Sequence, residues 1–100
     1  MSVFVVGEFN ADPKRLETVF HNREKDVLAV RDEAQARGAL HHHFAADNGQ
    51  MLVIDEWESA EAFHQFFNSQ PTIPDLMREV GVQGEPEFSI YPVIDTPDQF

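Results

Sequence analysis

Two runs of strand-forming residues, 39–46 and 50–57, flank Asp47-Asn48-Gly49, and this turn constrains the chain more than any other feature. Asn and Gly accept the positive φ that tight hairpin turns require, so the two runs are expected to pair antiparallel. The first run carries three consecutive histidines, His41, His42 and His43, between Leu40 and Phe44. Successive strand residues point to opposite faces, which sends His42 one way and His41 and His43 the other. The three therefore cannot form one site. Their place near the middle of the chain, inside an apolar segment, sets them apart from a purification tag.

The rest of the chain supplies the partners for this hairpin. Residues 2–9, SVFVVGEF, are β-branched and aromatic and read as a first strand, with Gly7 marking a close backbone approach. Asp12-Pro13 is a helix cap followed by proline at the first helical position, and Leu16, Val19, Phe20, Val27, Val30 and Ala34 continue at helical spacing up to Gly38. The apolar face lapses at 22–26, so one bent helix and two separate helices both remain open. Ser59 caps a helix with Ala60, Phe63, Phe66 and Phe67 on one face, and a second helix with Ile73, Leu76, Met77 and Val80 stops at Gly81. Residues 86–94, PEFSIYPVI, form a last strand in which Pro92 suggests an edge or bulge, and the tail DTPDQF reads as a loop or arm.

Strand, helix, hairpin, helix, strand is the order of an α+β, ferredoxin-like split βαβ domain with helices on one face. No linker interrupts residues 1–100, so a single domain is expected. In MLVIDE, residues 51–56, Met51 and Val53 face opposite to Leu52 and Ile54, so both faces of the sheet call for cover. The chain's own helices can cover one. The other is expected to pack on a second copy in a two-fold arrangement, a homodimer.

Composition narrows the function classes. Eighteen acidic against seven basic residues give a formal charge of −11, spread along the chain, which repels phosphate backbones and anionic headgroups. Nucleic acid and membrane are poor partners on this ground. The absence of cysteine removes disulfides, thiolate nucleophiles and thiolate metal ligands together. No apolar run approaches the roughly 18–20 residues that span a bilayer, and the N-terminal stretch has no basic region, so the chain is read as soluble and cytoplasmic.

Register decides which histidine meets which acid. With a two-residue Asn48-Gly49 loop, Ala46 pairs with Met51, His42 opposes Asp55 and Leu40 opposes Trp57. Leu40, His42, Phe44, Val53, Asp55 and Trp57 then share a face. A three-residue loop with a bulge at Gly49 shifts the pairing by one, setting His41 opposite Asp55 and His43 opposite Val53. The first register makes an apolar wall of Leu40 and Phe44.

The stretch LVIDEWESAEAFHQFF, residues 52–67, resembles the strand-to-helix signature of the antibiotic biosynthesis monooxygenase-like proteins, in which an acid-x-Trp strand end runs into a helix opened by Ser. Element order matches over nearly the whole domain. The resemblance implies a dimeric α+β barrel with a small-molecule pocket between each sheet and its helices. It assigns the Asp55 and Trp57 face to that pocket. Trp57 also matches a Trp of the haem-degrading members. However, IPDLMREV has no histidine, and the first strand has Gly7 and Glu8 where those members carry an Asn. Quinol and anthrone oxygenases of the family use no metal or flavin, because the deprotonated substrate itself passes an electron to oxygen. The resemblance thus implies a cofactor-independent monooxygenase acting on a small phenolic, quinol or anthrone-type aromatic.

Within that reading His42 is the base, Asp55 orients it, and Trp57, Leu40, Phe44, Phe63 and Phe67 bind substrate. A carboxylate beside an imidazole fixes its tautomer and strengthens it as a base. Each residue also has a plainer reading: an inward His as a hydrogen-bonded core or interface residue, Trp57 and the phenylalanines as packing. A ligand-binding or stress-related dimer without catalysis is the competing class. His41 and His43 share a face and could meet a metal with Glu56, but no other ligand spacing supports this, and no metal is expected. His21 and His64 are expected at the surface. Arg78 could hold an anionic oxygen, with a surface ion pair as the alternative.

Overall fold

The computed structural model describes all residues, 1–100, as four strands and four helices. They run β1 (Val3–Asn10), α1 (Pro13–Asn22), α2 (Glu24–Ala36), β2 (Ala39–Asp47), β3 (Gln50–Trp57), α3 (Ala60–Ser69), α4 (Thr72–Val80) and β4 (Gln83–Pro92). The strands form one antiparallel sheet in the order β2-β3-β1-β4, the ferredoxin-like α+β arrangement expected from the element order. No helix is long and apolar enough to cross a membrane.

Local signals place most boundaries. Asp12 accepts a hydrogen bond from the Lys14 amide at 3.0 Å and Pro13 opens α1. Ser59 Oγ accepts from the Ala62 amide at 3.1 Å to start α3. Gly81 ends α4 with φ of 83°, and the Val82 amide donates back to the Met77 carbonyl. The long helical segment is two helices. Arg23, at φ −110° and ψ 34°, interrupts it where the apolar face lapses, and its guanidinium turns to Asp26 instead.

The hairpin has the two-residue turn. Asn48 and Gly49 both take positive φ, 49° and 82°, as a type I′ turn requires, and Asp47 pairs with Gln50. His42 therefore opposes Asp55 and Phe44 opposes Val53. The pairing departs from expectation at the far end: Ala39, not Leu40, sits opposite Trp57, because Leu40 is the extra residue of a β-bulge between Ala39 and His41. The bulge lies where β2 leaves Gly38, whose φ is 119° and whose carbonyl accepts from the Glu58 amide at 2.8 Å. The last strand also differs. It begins three residues early, at Gln83, and ends at Pro92, which has no amide to continue the ladder. It is an edge strand, and its start slips past β1 at a second irregularity between Glu8 and Asn10.

Strand alternation divides the sheet into a covered and an open face. Val3, Val5, Phe9, Met51, Asp55 and Trp57 are buried under the helices. Phe4, Ile54 and Tyr91, on the other face, are exposed. Gly7 on the covered face is a close approach. A Cβ there would lie 2.6 Å from Val53 Cγ1 and 2.7 Å from Phe88 Cε1. The core itself is split. One cluster gathers Phe9, Leu16, Val19, Met51, Leu76 and Val80, and the other Val3, Val5, Trp57, Phe63 and Phe66. Helix α2 contributes no buried residue to either. It lies over the β2 side of the sheet without filling the space beneath, and a cavity remains there.

Candidate active site

That cavity has a volume of about 470 Å³, within the usual range for small-molecule sites. Its wall takes residues from both core clusters, so it occupies the gap between them. Phe63, Phe66, Phe67, Phe88, Ile73 and Met77 make an apolar, mostly aromatic side. Polar groups come from α2 and the β2–β3 hairpin alone: Arg31, Gln35, the three histidines and Asp55.

At the centre of the polar side, three residues form a hydrogen-bonded chain. His42 Nδ1 lies 2.6 Å from Asp55 Oδ1, and Trp57 Nε1–H donates to Asp55 Oδ2 at 3.2 Å. Cross-strand register brings His42 to Asp55, and the two-residue period of β3 brings Asp55 to Trp57 on the same face. Trp57 is only 2% exposed, clamped between the rings of Phe63 at 5.8 Å and Phe66 at 5.3 Å, so its N–H is a fixed donor. Asp55 is buried with both oxygens occupied, which suits a carboxylate. An ionised Asp55 accepts a hydrogen bond from Nδ1–H of a neutral imidazole, which leaves the Nε2 lone pair free. The His42 side chain is 50% exposed, and it lines the cavity, so Nε2 is accessible to a bound molecule. Phe44 stands edge-on to the imidazole at 4.9 Å and is itself braced by Phe20 and Phe9, which limits the ring's freedom.

The structure brings His42, Asp55, Trp57, Phe44, Phe63, Phe67 and Leu40 to one cavity. Leu40 reaches it from the bulge, 45% exposed at the edge rather than as a wall opposite Trp57. Trp57 is a core residue that also contributes to the cavity wall. By register His41 and His43 belong to the other face, opposite Glu56 and Ile54, although both border the cavity at the sheet edge. His41 Nε2 is 3.9 Å from Glu56 Oε1, while Ser2 Oγ donates to Glu56 Oε2 at 2.6 Å. No group of three or more acidic or histidine side chains is arranged to hold a metal ion. His21 and His64 are exposed, and Arg78 pairs with Asp75 at 2.9 Å outside the cavity. Sequence reasoning missed Arg31 and Gln35. The signal was present, because Val27, Val30, Arg31 and Ala34 fall at i, i+3, i+4 and i+7, the spacing of one inward face.

Sheet, helices on one face and a cavity between them define the class: a ferredoxin-like α+β domain with a small-molecule-sized site. Solved structures of antibiotic biosynthesis monooxygenases share this fold. SnoaB, a cofactor-independent oxygenase from Streptomyces nogalater, superposes with a TM-score of 0.66 over 98% of both chains at 16% identity. An antibiotic biosynthesis monooxygenase gives 0.64 over 93% of this chain and 99% of its own at 13% identity. A conserved protein from Methanosarcina mazei Go1 gives 0.65 over 91% of both at 16% identity. At these identities the likeness is one of fold. No family model and no curated protein matches the chain.

Proposed function

We propose that this chain is an antibiotic biosynthesis monooxygenase-like protein, a cofactor-independent oxygenase of small phenolic, quinol or anthrone-type aromatics. The observation that carries the reading is the His42–Asp55–Trp57 chain, which leaves an oriented, unoccupied imidazole nitrogen beside an aromatic-lined cavity. His42 Nε2 removes the acidic proton of the substrate, and Asp55 stabilises the imidazolium that forms. The resulting anion passes one electron to oxygen, and the radical pair joins to make a C–O bond. The proton on His42 returns to the peroxide anion. For an anthrone, the hydroperoxide then loses water at the same carbon, leaving a carbonyl, so one oxygen atom enters the product and the other leaves as water. Phe63, Phe67, Phe44 and Leu40 hold the ring system away from solvent.

The open sheet face, with Phe4, Ile54 and Tyr91 exposed, is the surface on which a second copy packs in this reading. The test of the activity is oxygen consumption with a panel of hydroxyquinols and anthrones. Uptake that collapses in His42→Ala and Asp55→Asn supports the reading. No uptake above background, or uptake indifferent to both substitutions, overturns it and leaves a ligand-binding dimer as the function.

A further inference from the structure

We infer that Arg31 selects substrates bearing an anionic substituent, a carboxylate or an ionised phenol oxygen, and holds that group at the α2 edge of the cavity. The inference rests on the cavity being the substrate site. Arg31 is the only lysine or arginine lining it. The position is also unusual in the sequence, because Arg31 follows Val27 by four residues and interrupts the stripe of Val27, Val30 and Ala34 at the exposed edge of the cavity. Gln35 lies one turn further on the same face and also lines the cavity, adding an amide donor within the same wall.

The cavity's two sides differ in kind. Aromatic and aliphatic residues from α3, α4 and β4 form the one, and every polar lining residue comes from α2 and the β2–β3 hairpin. A ligand filling it is therefore apolar along most of its length and polar where it meets α2 and His42. A protein of formal charge −11 repels an anion at long range, so admitting one requires a local cation. Arg31 engages Asp32 through Nε and Nη2 at 3.1 and 2.9 Å. Those side chains are 55% and 66% exposed, and a pair so hydrated is weakly held. It leaves Nη1 free and yields readily to a planar carboxylate that can accept two guanidinium hydrogen bonds.

Calorimetric titration of the full-length protein under argon with 1-hydroxy-2-naphthoate and 1-naphthol tests this, since the probes share a ring system and differ in charge. Wild type binds the naphthoate more tightly, and raised salt narrows the gap. Arg31→Gln weakens the naphthoate by about tenfold, the worth of one charge-assisted hydrogen bond, and shifts 1-naphthol by less than about twofold, the near-neutral effect of an exposed substitution. Arg31→Lys falls between. Equal weakening of both probes, no weakening of either, or failure of wild type to bind the naphthoate overturns the inference. Charge selection without oxygen uptake on the aromatic panel sinks the oxygenase reading alone. Uptake without charge selection sinks this one alone.

Discussion

Asp55→Asn removes a charge and almost no volume, so its effects isolate what the carboxylate does. Asp55 accepts from His42 Nδ1 at 2.6 Å and from Trp57 Nε1 at 3.2 Å. An asparagine has one acceptor oxygen and one donor group, and it cannot accept from both. If its oxygen faces His42, its NH₂ meets the buried Trp57 N–H, donor against donor. If its oxygen faces Trp57, its NH₂ donates to Nδ1, which moves the imidazole proton to Nε2 and removes the lone pair that faces the cavity. The first arrangement leaves the buried Trp57 N–H unpaired, and the second keeps both hydrogen bonds but replaces a charge-assisted pair with a weaker neutral one, so either costs about 1–3 kcal/mol. For a domain of this size each kcal/mol lowers the melting midpoint by about 4–8 °C, so a fall of about 5–20 °C is expected in a thermal melt followed by circular dichroism. Oxygen uptake, measured well below the new midpoint, should drop by about 10²–10⁴, the contribution of a positioned base. An Asp55→Asn protein that melts with wild type and keeps full uptake refutes both the burial argument and the tautomer argument.

Gly7→Ala should destabilise by about 1–3 kcal/mol in urea unfolding, because its Cβ falls 2.6 Å from Val53 and 2.7 Å from Phe88 and forces overpacking. Gly49→Ala meets no neighbouring atom within 4 Å, so any loss of stability is backbone strain at φ 82°, about 1–2 kcal/mol. An unchanged unfolding midpoint would contradict the turn assignment. Ile54→Lys, at an exposed position on the open sheet face, should convert the proposed dimer to monomer in sedimentation velocity while leaving the circular dichroism spectrum intact. A wild-type protein that sediments as a monomer would refute the pairing outright.

The sequence by itself determined the element order, the helix caps at Asp12 and Ser59, the stop at Gly81 and the place of the hairpin turn, because each rests on contacts within a few residues. Asn48-Gly49 marked the turn but left two registers open, and the two-residue turn of the structure is what carries His42 to Asp55 across the strands. Alternation along β3 placed Asp55 and Trp57 on one face in either register. Tertiary structure decided what depends on distant partners. The bulge at Leu40 arises where β2 must join both the end of α2 and the start of the β3–α3 connection at Glu58, and no local signal marks it. The early start of β4 is set by its irregular pairing with β1. The Trp57 hydrogen bond needs the clamp of Phe63 and Phe66 from α3 to fix the indole. The cavity exists because α2, whose apolar stripe is interrupted by Arg31, covers the β2 side of the sheet without burying a residue there. Strand alternation thus separated His42 from His41 and His43, and packing across several elements, which a single segment cannot encode, set the His42 imidazole with a free nitrogen at a pocket.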